Sequence, residues 1–183
     1  LYRQTAHQID LLSDWLKRLT ETDDLHVKRE LLRRVIVVGA YLKRRNNLIL
    51  VSEQDGMINE EEINLSLEEM MRNLQLAGIG CACQVQFGKN LPTDAAMKLF
   101  DFYEYVVEHA FDGLSFLLAR FFCRDGWYYA CVDAVCSLDL TALQTEQISV
   151  SISDENCYTL AFRLRCNMQI ITYGQCCTFT GYY

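Results

Sequence analysis

The hydrophobic positions of residues 100–113 follow the period of an α-helix. Five apolar residues recur at three- and four-residue spacing and therefore share one face: Phe100, Tyr103, Val106, Val107 and Ala110. Glu104 and Glu108 stand one turn apart, so their carboxylates point the same way. The pattern fits a helix that lines an acidic cleft. It also fits a core helix with a solvated acidic flank, and spacing alone favours this second interpretation.

Two further helical patterns precede this stretch. The first, in residues 1–20, has the seven-residue apolar repeat of a bundle seam, formed by Tyr2, Ile9 and Leu16 with Leu12 and Leu19 between them. A polar turn at residues 20–24 supplies a helix N-cap, and a second helix runs from about Leu25 towards Val51. This hairpin has more apolar seam than two helices can cover, which predicts a homodimeric four-helix bundle through residues 1–52. We interpret its basic run, Lys43-Arg44-Arg45, as a solvated face.

Residues 59–165 mix strands and helices without regular alternation. In chain order the pattern predicts a helix at 59–76, a strand at 79–87, a helix capped by Thr93 or Asp94, and β-hairpins at 114–136 and 148–165. Residues 138–147 form a short linker or a single helix. This order predicts an α+β fold, a helical hairpin followed by a two-layer sandwich with helices on one face of a mixed sheet. The apolar and aromatic tail, residues 166–183, is not placed by the pattern.

Composition narrows the class of protein. With 183 residues, of which 51% are hydrophobic, the chain can form one domain with a sizeable core and a helical appendage. A net charge of −7 argues against nonspecific binding of nucleic acid. No run reaches the ~18 uncharged apolar residues of a membrane helix, so we expect no membrane contact in this stretch.

The nine cysteines do not have the spacing of a metal site. Cys81, Cys83, Cys131 and Cys157 fall within strand-like runs, as small core residues do, and no CxxC pair occurs. We therefore expect no structural zinc site, and a reducing, cytoplasmic compartment fits best.

A helical dimerisation hairpin followed by this order of elements resembles a bacterial sensor histidine kinase. Residues 1–52 resemble its dimerisation and phosphotransfer bundle, and residues 59–165 resemble its ATP-binding domain, the Bergerat-type sandwich shared with gyrase. The segment IVVGAYLKRRNNLIL, Ile36–Leu50, is similar to a stretch in kinase-like sensor proteins of Firmicutes-type bacteria. The resemblance covers nearly the whole chain except the tail.

The resemblance implies partners, cofactors and a location. The partners are a second copy of the chain and a response regulator or another signalling protein. ATP and Mg²⁺ are the cofactors if the nucleotide site is functional. The location is the cytoplasm, and because the chain begins with Leu1 rather than Met, it can be the cytoplasmic part of a membrane-anchored sensor.

The family's motifs assign roles to four residues. Its asparagine box is close to E-x-x-x-N-A-x-x-H: Glu104 falls on the catalytic acid that polarises water or orients the phosphates, and Glu108 falls on the asparagine that holds magnesium. Asp133, in VDAVC, falls on the aspartate of D-x-G-x-G, which accepts the adenine amino group. His7 on the first helix is the candidate phosphoacceptor, followed by Gln8 where the family has an acid.

The same motifs lack several residues that the chemistry of the family requires. Glu108 brings a second negative charge where the family has an amide, which opposes triphosphate binding by roughly 1–4 kcal/mol at 4 Å. Both glycines after Asp133 are missing, and residues 138–147, where a glycine-rich ATP lid belongs, contain none.

These departures leave three functional hypotheses. The first is a sensor histidine kinase-like signal-transduction module with impaired or lost ATP binding, acting through dimerisation and partner docking. The alternative is an active ATP-dependent protein histidine kinase with divergent motifs, using Glu104, Glu108 and Asp133. The third is an unrelated α+β protein whose sheet and bundle only assemble a partner. The sequence leaves open whether the chain is an enzyme.

Overall fold

The computed structural model describes residues 2–53 and 56–166. Within these residues the helices and longer strands are α1 (Tyr2–Glu21), α2 (Leu25–Val51), α3 (Glu60–Leu76), β2 (Gly80–Gln86), α4 (Thr93–Ala110), β4 (Leu114–Arg124), β5 (Trp127–Cys136), β6 (Ile148–Asp154) and β7 (Cys157–Arg165). Two short strands, β1 (Met57–Ile58) and β3 (Leu91–Pro92), pair with each other. The tail that the sequence analysis left unplaced lies, from residue 167 on, outside the described residues.

The main sheet has five strands in the order β2-β4-β5-β7-β6. β2 and β4 are parallel, and the remaining neighbours are antiparallel. Both hairpins turn where the sequence predicts, because Asp125 (φ 51°), Gly126 (φ 77°) and Asn156 (φ 61°) adopt the left-handed conformation of tight turns. The predicted α+β class with a mixed sheet is confirmed.

One face of the sheet carries the helices. The predicted apolar stripe of α4 is buried throughout and packs on β5 through inward residues such as Ala130 and Val132. On β5 the alternate residues, among them Tyr129 and Cys131, are only half-buried and lie on the opposite face. No described element covers that second face, so the sandwich has two layers.

The helical hairpin packs around its own small core. Trp15 of α1 contacts Leu31 and Val38 of α2, with Leu12 and Leu19 alongside. Two residues of the predicted seam, Ile9 and Leu16, remain 55% and 51% exposed in the single chain. The surface of α2 leaves Leu25, Leu32 and Ile36 exposed as well. The apolar surplus predicted for the hairpin is therefore present on its outer surface.

The basic run of α2 is a solvated face only at Lys43, which corrects the sequence interpretation for Arg44 and Arg45. Lys43 and Arg44 form ion pairs with Glu69 of α3. Arg45 is only 2% exposed and donates two hydrogen bonds to the carboxylate of Asp101 on α4, at 2.7 and 3.1 Å. These ion pairs stabilise the packing of the C-terminal half of α2 against the helices of the sandwich. α2 therefore belongs to both the hairpin and the main core.

Of the two N-caps that the sequence predicts, the one before α2 is confirmed. Asp24 caps α2 by accepting hydrogen bonds from the backbone N–H groups of the first turn, and Asn59 caps α3 in the same way. The cap predicted at Thr93 or Asp94 is wrong: Pro92 occupies the N-cap position of α4 and provides no side-chain hydrogen bond.

Candidate functional site

The two acids of α4 differ sharply in environment. Glu104 is 1% exposed, and neither of its carboxylate oxygens accepts a hydrogen bond from a described residue. Burial raises its pKa well above the ordinary value, and repulsion from the carboxylates of Glu108 and Asp101 raises it further. The neutral acid is therefore favoured, and Glu104 belongs neither to an open acidic cleft nor to a solvated flank.

Glu108 is occupied by the first helix of the hairpin. Nε2 of His7 donates to one carboxylate oxygen of Glu108 at 3.0 Å, and Nε2 of Gln8 donates to the other at 3.2 Å. The structure thus brings together two of the predicted site residues, which lie 101 positions apart in the chain. His7 keeps about half of its side chain exposed, as its outward position predicts.

A cavity of about 530 Å³ lies between α1, α2 and α4. Trp15, Leu31 and Phe111 supply much of its apolar wall, and Glu104 and Glu108 border it. The guanidinium of Arg34 lies over the rings of Trp15 and Phe111, 5.9 and 5.3 Å from their centroids, and pairs with Asp112. The sequence pattern did not indicate that these residues line a cavity, although a tryptophan directly before Leu16 was a signal that the adjacent face of α1 is buried.

Asp133 lies on the other side of the sheet. It belongs to the outward residues of β5, where its carboxylate accepts hydrogen bonds from Nη2 of Arg120 at 2.6 Å and Oγ1 of Thr159 at 2.7 Å. The helix α4 packs on the opposite face of β5. Asp133 therefore does not share a cleft with Glu104 and Glu108.

A second cavity, of about 340 Å³, lies on the far flank of α4 against β6 and β7. Phe102, Tyr105, Ile148 and Phe162 form its apolar lining. Asp133 lines neither this cavity nor the one beside Glu104.

The predicted site residues do not lie together in one cleft. Glu104 has no exposed oxygen, both oxygens of Glu108 are bonded to α1, and Asp133 faces away. The segment at the family's lid position forms a 3₁₀ turn (Thr141–Leu143) whose Leu140 and Leu143 are buried in the core. Across residues 2–53 and 56–166, no three His, Cys, Asp or Glu side chains are grouped so that they could hold a metal ion.

Comparison with known proteins finds likenesses in fold among solved structures. A histidine kinase of Acinetobacter baumannii, AdeS, matches with a TM-score of 0.46 at 10% identity, covering 87% of this chain and 95% of that one. A bacterial phosphotransferase matches with a TM-score of 0.47 at 11% identity, covering 85% of this chain and 88% of that one. At these scores neither likeness carries a conclusion about activity. No protein-family model and no curated protein matches the sequence.

None of the helices in the described ranges is long and apolar enough to cross a membrane.

Proposed function

We propose that this chain is a histidine-kinase-like signal-transduction module in which ATP binding is impaired or lost, and which acts through dimerisation and partner docking. The observation that carries the proposal is the separation of the motif positions. Asp133 and the pair Glu104 and Glu108 lie on opposite faces of the sheet, whereas a nucleotide would need all three in one cleft.

The electrostatics of α4 support the same proposal. The carboxylate of Glu108 stands where the family has an amide, and it is held by His7 and Gln8 rather than directed at open space. A triphosphate entering beside it would meet an uncompensated negative charge and would have to displace α1. Leu140 and Leu143 add a second obstacle, because a segment anchored in the core cannot fold over phosphates as a mobile lid does.

A signal would pass through the contacts between the hairpin and the sandwich. The buried pair of Arg45 and Asp101 couples the C-terminal half of α2 firmly to α4. The N-terminal half of the hairpin instead meets α4 across the 530 Å³ cavity and the exposed contact of His7 with Glu108. A shift of α1 on α4 would therefore change the surface near Glu108 without disturbing the core. The docking partner in this scheme is a response regulator or another signalling protein of the cytoplasm.

Titration calorimetry with Mg-ATP tests the loss of nucleotide binding. We expect no saturable heat when the nucleotide concentration is raised to about 1 mM. At that concentration, binding with a dissociation constant of about 1 mM would already be detected. The full chain is used, with Mg-ADP as a second ligand so that a site specific for the diphosphate is not overlooked. Micromolar binding of either nucleotide would contradict the proposal.

One observation favours the alternative, an active histidine kinase with divergent motifs. The structure places His7, the candidate phosphoacceptor, 3.0 Å from Glu108 at the asparagine-box position. If this hypothesis holds, incubation with γ-labelled ATP gives an acid-labile phosphoprotein, His7→Ala removes the label, and the control His26→Ala retains it. If no label appears under conditions where a known histidine kinase is labelled, the alternative fails.

The exposed apolar residues of the hairpin predict a homodimer. We expect sedimentation velocity to show a dimer, because Ile9 and Leu16 on α1 continue an apolar surface that no described element covers. The double change Ile9→Glu and Leu16→Glu should weaken dimerisation at least tenfold, about 1.4 kcal/mol, since each side chain buried in a bundle seam contributes roughly 1.5–3 kcal/mol.

Ile152→Glu is the matched control for dimerisation. Ile152 is similarly exposed, at 59%, but lies on the edge strand β6, so its change should leave the dimer intact. A monomeric wild-type chain, or equal weakening by the control, would contradict a dimer through residues 1–52.

A further inference from the structure

Two cysteine thiols meet at one end of the sheet. Cys123 lies near the end of β4, and Cys166 directly follows β7. Their Sγ atoms are 3.8 Å apart, although β5 separates the two strands in the sheet and 43 positions separate the residues in the chain. Both residues are partly buried and are free thiols. The geometry therefore offers a pair of sulfur atoms almost in contact, which the spacing of cysteines in the sequence did not indicate.

Closing a disulfide requires the backbone at Cys166 to move, because β5 separates β4 from β7 in the sheet. A disulfide needs the sulfur atoms at about 2.05 Å, so they must move together by somewhat less than 2 Å. Cys166 is one residue past the end of the β7 ladder, and its N–H donates to the carbonyl of Gly126 in the β4–β5 turn at 2.9 Å. This one bond anchors Cys166 beside the turn while leaving the side chain free of the constraints of a paired strand.

The surroundings of the pair raise the pKa of Cys166 overall, and a nearby cation partly opposes that rise. The ammonium of Lys89 lies over the ring of Tyr128, 5.1 Å from its centroid, and its charge acts on both thiols. Burial raises the pKa of Cys166, and the positive charge of Lys89 opposes that rise. A nearby cation stabilises the thiolate, which is the form that attacks a disulfide.

We propose that Cys123 and Cys166 form a reversible intramolecular disulfide, closed by exchange with a small-molecule disulfide of the glutathione class. The thiolate of one cysteine attacks the small disulfide, forming a mixed disulfide and releasing one small thiol. The thiolate of the second cysteine then attacks the protein sulfur of the mixed disulfide and releases the other small thiol. The protein loses two protons and two electrons, and the small disulfide is reduced to two thiols.

Closing the bond would covalently tie β4 to the residue from which the chain continues beyond β7. In the reduced protein that connection rests on noncovalent contacts among Cys123, Tyr128 and Cys166. Oxidation would thus fix the direction in which residue 166 leaves the sheet. This role is independent of nucleotide binding, so its test does not depend on the function proposed above.

Peptide mapping of the full chain after equilibration in oxidised and reduced glutathione tests the proposal. After quenching by alkylation, we expect a cross-linked pair of peptides containing Cys123 and Cys166, about 2 Da lighter than the two reduced peptides together. Dithiothreitol should restore both thiols. Cys123→Ser and Cys166→Ser should each abolish the cross-link. Cys157→Ser, on the outward face of β7, should leave it unchanged.

Other pairings in wild-type protein would overturn the assignment. Recovery of Cys166 linked to Cys176 or Cys177 would do so, as would a stable mixed disulfide with glutathione at either residue. Alkylation of both thiols at every ratio of oxidised to reduced glutathione would also overturn the assignment. Because the wild-type map alone decides among these outcomes, a folding defect in a serine variant does not affect the test.

Discussion

Replacing Glu104 with leucine will raise the free energy of unfolding at pH 7 by about 1–3 kcal/mol, the usual cost of a buried polar group without a hydrogen-bond partner. The carboxyl group is buried beside the 530 Å³ cavity and accepts no hydrogen bond from the described residues. Leucine has a similar volume, so it removes the unpaired oxygens without leaving a large cavity. Urea denaturation of the wild type and the variant at pH 7 measures the difference.

The stabilisation by Glu104→Leu will grow with pH. In the unfolded chain the carboxyl ionises near 4.5, whereas burial raises its pKa well above that value in the folded protein. Between the two pKa values the folded state holds a proton that the unfolded state has lost, so this residue lowers the free energy of unfolding as the pH rises. The variant lacks that dependence. The difference should therefore be smallest at pH 4, where only the unpaired neutral group contributes, and should increase from about pH 4.5 upward.

Glu108→Gln is the matched control for Glu104→Leu, one turn further along α4. Glu108 is partly exposed and bonded to His7 and Gln8, so losing its charge should change the free energy of unfolding by less than about 1 kcal/mol. A destabilised Glu104→Leu variant, or a difference that does not change between pH 4 and 7, would show that Glu104 has a stabilising partner.

The change Asp101→Ala will lower the free energy of unfolding by about 3–5 kcal/mol, because it leaves the guanidinium of Arg45 buried without its counter-ion. The carboxylate of Asp101 accepts two hydrogen bonds from Arg45 and a third, at 2.6 Å, from the hydroxyl of Tyr41. The ordinary pKa of an arginine lies far above neutral pH, so Arg45 cannot escape the penalty by losing its proton once Asp101 is removed. Thermal and urea denaturation both report the loss.

Two further variants separate the buried pair from a general effect on α4. The exposed pair of Lys98 and Asp94 on the same helix contributes less than about 1 kcal/mol, so Asp94→Asn should be nearly neutral. The double variant with Arg45→Met and Asp101→Leu should recover most of the stability, since apolar residues of similar volume can replace a buried ion pair. If Asp101→Ala is as mild as Asp94→Asn, the pair does not link α2 to the sandwich.

Most of the fold could be predicted because local signals agree with it. The tight turns at Asp125-Gly126 and Asn156 fix both hairpins, and the stripe from Phe100 to Ala110 fixes the buried face of α4. Each signal lies within a few residues of the element that it determines. The end of α2 was less clear, because a run of three basic residues normally marks a solvated surface. Arg45 is buried only because Asp101, 56 positions away, supplies its charge partner.

The candidate site could be predicted only in part. The relation of Glu104 to Glu108 follows from helical spacing, but the contact of His7 with Glu108 depends on how α1 leans on α4, which no local pattern contains. The face of Asp133 was ambiguous because β5 is apolar on both sides: Tyr128 and Val132 face the core, while Trp127 and Val135 face outward. Only the polarity of Asp133 itself indicated the outward face.

The sandwich and the first helix of the hairpin differ in the free energy that their opening requires. Tight turns join β4 to β5 and β6 to β7, and all four strands pack on one core, so we expect their opening to require most of the free energy of global unfolding. α1 belongs to a separate small cluster around Trp15 and meets α4 through the hydrogen bonds of His7, which is exposed, and Gln8, which is buried. Its detachment exposes little of the main core and requires less free energy than global unfolding. We therefore expect α1 to open as a separate unit in the native ensemble, detaching and rebinding many times while the sandwich stays folded.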